Sequence, residues 1–324
     1  MGLAVVAAVG AIVAAAVVLR RPRFQVDEID LRNVPQWHPR ADEISDAGCA
    51  AVEPPGARDA GAGLRFVAIG DYGYAGPAEE SVADLVKGYR PELIVTLGDN
   101  NYPLGGADTI DLNIGLFYHE FIAPYVGRFG CGALTNHFFP ALGNHDWMAP
   151  GARPYLDYFE LPGNERYYDV VRGPVHLFAL DSDPSEPDGN TPDSVQARWL
   201  HQALALSTAP WKIVYMHHAP YSSGPHGGTV AMRWPYKTWG VDLVLAGHDH
   251  DYERIDVEGL TYLVNGLGGA VFYPIGKPVE GSIARFNTTA GALFLEADET
   301  SLRARFQTVD GRKIDELTLA KAPP

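Results

Sequence analysis

The chain has 324 residues, 46% hydrophobic and 20% charged, which is typical of a globular protein with one large or two small domains. Its formal net charge of −15 argues against binding to a nucleic-acid backbone. Only Cys49 and Cys131 are cysteines, which fits either one disulfide or two buried thiols.

The N-terminal segment is apolar and uncharged from Gly2 to Leu19, and Arg20-Arg21-Pro22-Arg23 follows it. Its length predicts a single-pass membrane anchor over residues 1–23, with an uncleaved signal segment as the alternative. The arginines favour a cytoplasmic location for the chain after the span, but a long folded domain can be translocated despite them. The membrane is therefore an expected partner, and the side on which the domain lies stays open.

Residues 24–63 are rich in Pro, Ala, Gly and acidic residues and have no sustained period, so we predict a linker or arm. The folded domain is predicted to span residues 64–324. It begins with a strand at Leu64–Ile69, a helix at Pro77–Tyr89 and a strand at Leu93–Leu97, an order that predicts a parallel crossover. Further helices are predicted at 111–125 and 191–206, and further strands at 138–142, 167–171, 175–180, 213–216, 241–246, 262–264, 293–296, 302–307 and 314–319.

This alternation of strands and helices, followed by a strand-rich tail, predicts an α/β fold with two packed mixed β-sheets and helices outside them. Several predicted strands end in a residue that can bind metal. These ends are Gly70-Asp71, Gly98-Asp99, Gly143-Asn144, His217 and Gly247-His248-Asp249-His250.

Each strand end alone is compatible with an ordinary turn, but the carboxyl ends of strands in such sheets meet at one edge. Carboxylates and imidazoles without cysteine favour iron, zinc or manganese. Two metal ions would need a bridging carboxylate, and Asp99 fits that position.

Five motifs in this order resemble those of the purple acid phosphatases, a branch of the calcineurin-like metallophosphoesterases. The motifs are Gly70-Asp71-Tyr72-Gly73, Gly98-Asp99-Asn100-Asn101-Tyr102, Gly143-Asn144-His145-Asp146, Val214-Tyr215-Met216-His217 and Gly247-His248-Asp249-His250. The resemblance spans about Leu64 to Arg254. It implies the two-sheet sandwich of that family, and hydrolysis of phosphate monoesters by a metal-bound hydroxide. It also favours an extracytoplasmic domain.

The resemblance implies a centre of two metal ions. Fe(III) would be held by Asp71, Tyr102 and His250. A divalent ion (Fe, Zn or Mn) would be held by Asn144, His217 and His248. Asp99 would bridge the two ions. Gly73 stands where other metallophosphoesterases have a histidine, and the Tyr102 phenolate is a hard donor that favours Fe(III). We expect His217 rather than the adjacent His218 to be the ligand, because the family spacing matches His217, Ser222 and His226.

The resemblance also implies catalytic roles for two histidines. His145 would bind the substrate phosphate or protonate the leaving alkoxide, and His226 would do the same from a glycine-rich loop. The alternatives are a phosphodiesterase or pyrophosphohydrolase of the same superfamily, or a membrane protein that binds metal or phosphate without turnover. The natural substrate and the oligomeric state are not predicted.

Overall fold

A computed structural model describes residues 50, 51, 53, 54, 56 and 63–322. The predicted anchor at 1–23 and most of the predicted arm lie outside the described residues, as does Cys49. Cys131 is disulfide-bonded. No helix in the described part of the chain is long and apolar enough to cross a membrane. The anchor therefore stays a prediction.

Thirteen strands and five α-helices make up the described domain. The strands are β1 Leu64–Ile69, β2 Leu93–Thr96, β3 Phe138–Pro140, β4 Tyr168–Arg172, β5 Val175–Ala179, β6 Trp211–His218, β7 Leu243–Gly247, β8 Tyr252–Val257, β9 Leu260–Asn265, β10 Ser282–Phe286, β11 Gly291–Ala297, β12 Ser301–Thr308 and β13 Lys313–Ala320. The α-helices are α1 Pro77–Tyr89, α2 Leu116–Tyr118, α3 Asn144–Trp147, α4 Arg153–Tyr158 and α5 Val195–Leu206.

The strands form two mixed sheets. The six-stranded sheet has the order β13-β12-β11-β1-β2-β3, in which β1, β2 and β3 run parallel. The seven-stranded sheet has the order β10-β8-β9-β7-β6-β5-β4, in which β5, β6, β7 and β9 run parallel. The predicted α/β class is thus confirmed, and each sheet has a group of parallel strands whose carboxyl ends can carry ligands.

Strand β6 illustrates how the sequence fills both sides of a sheet. Successive side chains of a strand point to opposite faces. Ile213 and Tyr215 belong to the core cluster that also contains residues of the other sheet, such as Ile94. Val214 and Met216 belong to the second cluster, in which the sheet packs against α5 residues such as Leu200. The sheets therefore face each other across one core, and α5 covers the outer face.

Two predictions about helices need correction. The helix predicted at 111–125 ends at Phe121 and changes geometry along its length, as a π turn at Asp111–Gly115, then α2, then a 3-10 turn at His119–Phe121. Pro124 disfavours a helical conformation at the preceding residue, so a helix as far as Tyr125 was not compatible with the sequence.

The helix predicted from Thr191 begins at Val195, since Ser194 is its N-cap and accepts a hydrogen bond from the Ala197 backbone N–H at 3.0 Å. The short helices α3 and α4 and the strands β8 and β10 were not predicted.

Candidate metal centre

Two buried carboxylates lie at the ends of neighbouring parallel strands. Asp71 follows β1 and Asp99 follows β2, and their exposed fractions are 0% and 2%. Both have positive φ angles, 55° and 53°, as does His248 after β7 with 72°. Positive φ angles are uncommon outside glycine, although Asp and His tolerate them better than most residues, and they cluster at functional sites.

Glycines allow these strand ends to approach one another closely. A side chain at Gly98, whose φ is 87°, would place its Cβ 2.6 Å from the His217 ring. A Cβ at Gly143 would lie 2.2 Å from the Asp99 backbone nitrogen. Neither position can accept a side chain without displacing a predicted ligand, which explains why glycine precedes the ligand in these motifs.

The predicted ferric ligands Asp71, Tyr102 and His250 form one group of converging polar atoms. The Tyr102 hydroxyl lies 3.2 Å from Asp71 Oδ1 and 3.2 Å from His250 Nε2, and those two atoms are 3.2 Å apart. His250 Nδ1 donates to the Val271 carbonyl, which leaves Nε2 to face the group. The structure therefore brings these three residues together.

The predicted ligands of the divalent ion form a second group around His217 Nε2. This nitrogen lies 2.9 Å from Asn144 Oδ1 and 3.1 Å from His248 Nδ1. His217 Nδ1 donates to the Leu97 carbonyl at 2.8 Å, so its Nε2 has a free lone pair. Lone pairs that converge in this way suit a cation, which is the observation that fits these residues to a metal ion.

Asp99 lies between the two groups. Its Oδ1 is 3.4 Å from His217 Nε2, and its Oδ2 accepts a hydrogen bond from Tyr102 at 2.8 Å. The His145 backbone N–H also donates to Oδ1, at 2.9 Å. One carboxylate oxygen thus faces each group, as a bridging ligand requires.

Burial sets the protonation states at the centre. It lowers the pKa of His217 to about 3 and that of His248 well below its usual value, so both imidazoles are neutral and able to ligate. Burial would also lower the pKa of His250, but the Asp71 carboxylate raises it overall. Burial, with Asp99 and Asp71 next in importance, raises the pKa of Tyr102 well above its usual value. Metal binding to Tyr102 must therefore displace a proton.

The predicted catalytic histidines lie at the mouth of the centre, with side-chain exposures of 22% for His145 and 29% for His226. His145 Nδ1 donates to the Pro103 carbonyl at 2.6 Å, and its ring lies 4.4 Å from that of Tyr102. The ring of His226 stacks on His248 at 4.1 Å. Both imidazoles are therefore reachable by a ligand bound at the centre.

Asp249 and Tyr273 support these imidazoles from outside the predicted ligand set. Asp249 Oδ1 lies 3.0 Å from His226 Nδ1, so this carboxylate orients a predicted catalytic imidazole. Tyr273 stacks on His250 with a centroid distance of 4.0 Å and an interplanar angle of 5°. Sequence reasoning missed Tyr273, because nothing in the glycine-rich segment before it indicates a contact with His250.

Lysine and arginine side chains make no direct polar contact with the predicted site residues in the described part of the chain. Histidine nitrogens are therefore among the side-chain donors that this centre offers to an anion.

Comparison with known proteins identifies the family of the chain. The family model described as calcineurin-like phosphoesterase matches residues 64–252, and the chain belongs to that family. The chain is 28% identical over 237 residues to purple acid phosphatase 17 of Arabidopsis thaliana, which covers 63% of this chain and 68% of the relative. It is 26% identical over 245 residues to mouse tartrate-resistant acid phosphatase type 5, with 63% and 72% covered.

Solved structures share the fold. The purple acid phosphatase from yellow lupin seeds has a TM-score of 0.64 at 19% identity, with 82% of this chain and 55% of that chain covered. GAP50, the anchor in the inner membrane complex of Plasmodium, has a TM-score of 0.63 at 18% identity, with 81% and 90% covered. Together with the curated relatives, these matches identify the chain as a metallophosphoesterase similar to the purple acid phosphatases.

Proposed function

We propose that this protein hydrolyses phosphate monoesters at a centre of two metal ions. Fe(III) would be held by Asp71, Tyr102 and His250, and Fe, Zn or Mn in the divalent state by Asn144, His217 and His248. The observation that carries this proposal is the position of Asp99, because each of its oxygens faces one of the two groups.

When bound, such a metal pair would activate water and stabilise the charge on the phosphate oxygens. The protein residues supply the other functions. His145 Nδ1 donates a hydrogen bond to the Pro103 carbonyl, which fixes the orientation of the ring. The other ring nitrogen, Nε2, is left to face the substrate. His145 would bind the phosphate or give a proton from Nε2 to the leaving oxygen. His226, held by Asp249, would bind the phosphate from the opposite side.

The proposal can be tested with the full-length chain after loading with iron and then with Zn or Mn. We expect elemental analysis to find two metal ions per chain. We also expect p-nitrophenyl phosphate to be hydrolysed with a higher kcat/KM than its bis-ester or pyrophosphate. A preference for the bis-ester or for pyrophosphate would favour the phosphodiesterase or pyrophosphohydrolase alternative.

A chain that binds both metals but does not turn over any of these esters would favour a non-catalytic metal- or phosphate-binding protein. The likeness to GAP50 concerns the fold alone and does not decide between these functions. The full set of ligand-type residues, together with His145 and His226 at the mouth, is the reason we propose turnover.

We also propose that residues 1–23 anchor the protein in a membrane by a single pass, with the domain on the extracytoplasmic side. The apolar segment from Gly2 to Leu19 supports this proposal. The full-length chain should sediment with membranes and resist extraction by salt and alkali. Recovery of the uncleaved chain in the soluble fraction would contradict the anchor.

A further inference from the structure

His218 follows the predicted ligand His217 at the end of β6, yet its side chain has different neighbours. Its ring centroid lies 4.4 Å from that of His248 and 5.0 Å from that of His217. One nitrogen atom from each of these three imidazoles lies within 4.8 Å of the other two. His218 therefore borders the space on the divalent side of the proposed centre.

Ser182 determines which nitrogen of His218 carries the proton. The Ser182 hydroxyl accepts a hydrogen bond from the His218 backbone N–H at 2.8 Å and lies 2.9 Å from His218 Nδ1. Ser182 is fully buried, and we find no other partner for its hydroxyl in the described hydrogen-bond network. The Ser182 hydroxyl must then donate its proton to His218 Nδ1. The neutral imidazole of His218 therefore carries its proton on Nε2.

The predicted ligands His217 and His250 have the opposite arrangement. Their Nδ1 atoms donate to the carbonyls of Leu97 and Val271, so that Nε2 has a free lone pair. A protonated Nε2 cannot coordinate a metal ion, but it can donate a hydrogen bond to an anion. This difference separates His217 as a ligand from His218 as a donor.

A donor at this position would be useful because, among the described residues, no lysine or arginine makes a hydrogen bond or ion pair with the predicted site residues. Imidazole donors are therefore available to bind a phosphate oxygen near His217 and His248. His226 already packs against His248, and His218 packs against the same ring.

We propose that His218 is a further phosphate-binding residue, whose Nε2–H donates to a substrate phosphate oxygen on the side of His217 and His248. This inference rests on the proposed function, since it requires a phosphate group held at the centre. It adds a substrate contact that the five sequence motifs do not contain.

The experiment uses the metal-loaded full-length chain with inorganic phosphate as the probe. His218→Phe removes the donor and keeps a ring, whereas His218→Gln returns an N–H group near the position of Nε2. We expect His218→Phe to keep both metals but to bind phosphate roughly tenfold more weakly by calorimetry, because one hydrogen bond to a charged group is lost. The KM for an aryl phosphate should rise in parallel with little change in kcat, and His218→Gln should recover most of the affinity.

Ser182→Ala provides a second variant that leaves His218 in place. Without the hydroxyl the imidazole can change tautomer, so phosphate affinity should fall by a smaller factor than in His218→Phe. Unchanged phosphate affinity in both variants would overturn the inference, and so would the loss of one metal ion from His218→Phe, since that would make His218 a ligand. A wild-type chain without metal binding or turnover would instead overturn the proposed function, so the two failures are distinguishable.

Discussion

The Asp99 carboxylate has two oxygens in different surroundings, one near His217 and one that accepts a hydrogen bond from Tyr102. Asp99→Asn keeps the size of the side chain but removes its charge and one oxygen. We expect loss of at least one metal ion by elemental analysis and a fall in kcat/KM of roughly a thousandfold, because metal ions contribute several kcal/mol to such reactions.

The control for this variant is Asp157→Asn. Asp157 is exposed and pairs with Arg153 on the same helix, away from the predicted ligands. It should keep wild-type metal content and activity, because exposed ion pairs contribute little. An Asp99→Asn variant with two metal ions and normal turnover would contradict the bridging role.

Tyr102 provides a spectroscopic test of the proposed iron site. A phenolate on Fe(III) produces a charge-transfer band in the visible spectrum, so the oxidised iron-loaded protein should be coloured. Tyr102→Phe keeps the buried ring but removes the donor oxygen, so the colour should vanish even if iron stays bound. Tyr74→Phe is the matched control, since the Tyr74 ring contacts that of Tyr102 edge-on at 6.4 Å. A colourless, active wild-type protein without iron would show that the centre holds a different metal pair.

At this scale the sequence predicts residue types better than orientations. The order of the motifs was enough to identify Asp71, Asp99 and His217 as neighbours, because each follows or ends a parallel strand. The orientation of His217 depends on the Leu97 carbonyl, which is 120 positions away in the chain. Contacts of that kind have no local signal, so neither the tautomers nor the role of His218 could be predicted.

At the scale of elements, helix α1 carries an unusual buried carboxyl group. Glu79 is fully buried, and neither of its carboxylate oxygens makes a hydrogen bond of good geometry among the described residues. Burial raises its pKa well above the usual value, which the Tyr74 backbone N–H only partly opposes. The native state therefore holds a proton on Glu79 at pH values at which the unfolded chain has lost it.

Because the pKa of Glu79 is higher in the folded than in the unfolded state, we predict that Glu79 destabilises the fold as the pH rises. Between the unfolded pKa and the raised folded pKa, the free energy of unfolding falls by up to about 1.4 kcal/mol per pH unit on account of this group. Glu79→Gln removes the titration, so its stability relative to wild type should increase from pH 5 to pH 8 in urea unfolding. Glu80→Gln, on the same helix but half-buried, is the control. A difference between Glu79→Gln and wild type that does not change with pH would contradict the assignment.

Element boundaries were predicted best where a local rule decides them. Strand β1 and helix α1 have the predicted bounds, because β1 is a short apolar run that is buried almost throughout and Pro77 begins the helix. The prediction of a helix over 111–125 was wrong because Tyr125 does not continue the helix. Instead its hydroxyl donates to Asp111 at 2.7 Å, a contact that holds the following segment against the helix.

For the whole molecule, the sequence predicted two packed mixed sheets but could not assign each strand to its sheet. Strand β1 pairs with β11, which is separated from it by more than two hundred residues, because both are apolar enough to lie inside the core. Many pairings of apolar strands satisfy the same pattern, so the strand order is decided by the tertiary packing of the core rather than by any one segment.

Glu53, in the arm before β1, makes polar contacts with the domain. Glu53 Oε2 lies 2.5 Å from His137 Nε2, and the Thr135 hydroxyl donates to Glu53 Oε1 at 3.1 Å. Cys131, which is disulfide-bonded, lies in the same loop as Thr135. A chain that begins at Leu64 would lose Glu53 and Cys49, whereas a chain that begins at Arg23 would keep both.

Both shortened chains should bind metal and hydrolyse an aryl phosphate, because every predicted ligand follows residue 63. They should differ in stability, since loss of a disulfide typically costs about 2–4 kcal/mol and loss of a hydrogen bond such as that between Glu53 and His137 about 1 kcal/mol. We therefore expect the chain from Leu64 to unfold at a Tm several degrees lower in calorimetry.

Glu53→Gln and Cys131→Ser, each in the chain from Arg23, separate the two contributions, and the cysteine variant should account for most of the difference. Equal Tm values for the two shortened chains would show that the arm contributes nothing to the fold, and loss of metal binding from Leu64 onward would show that it supports the centre.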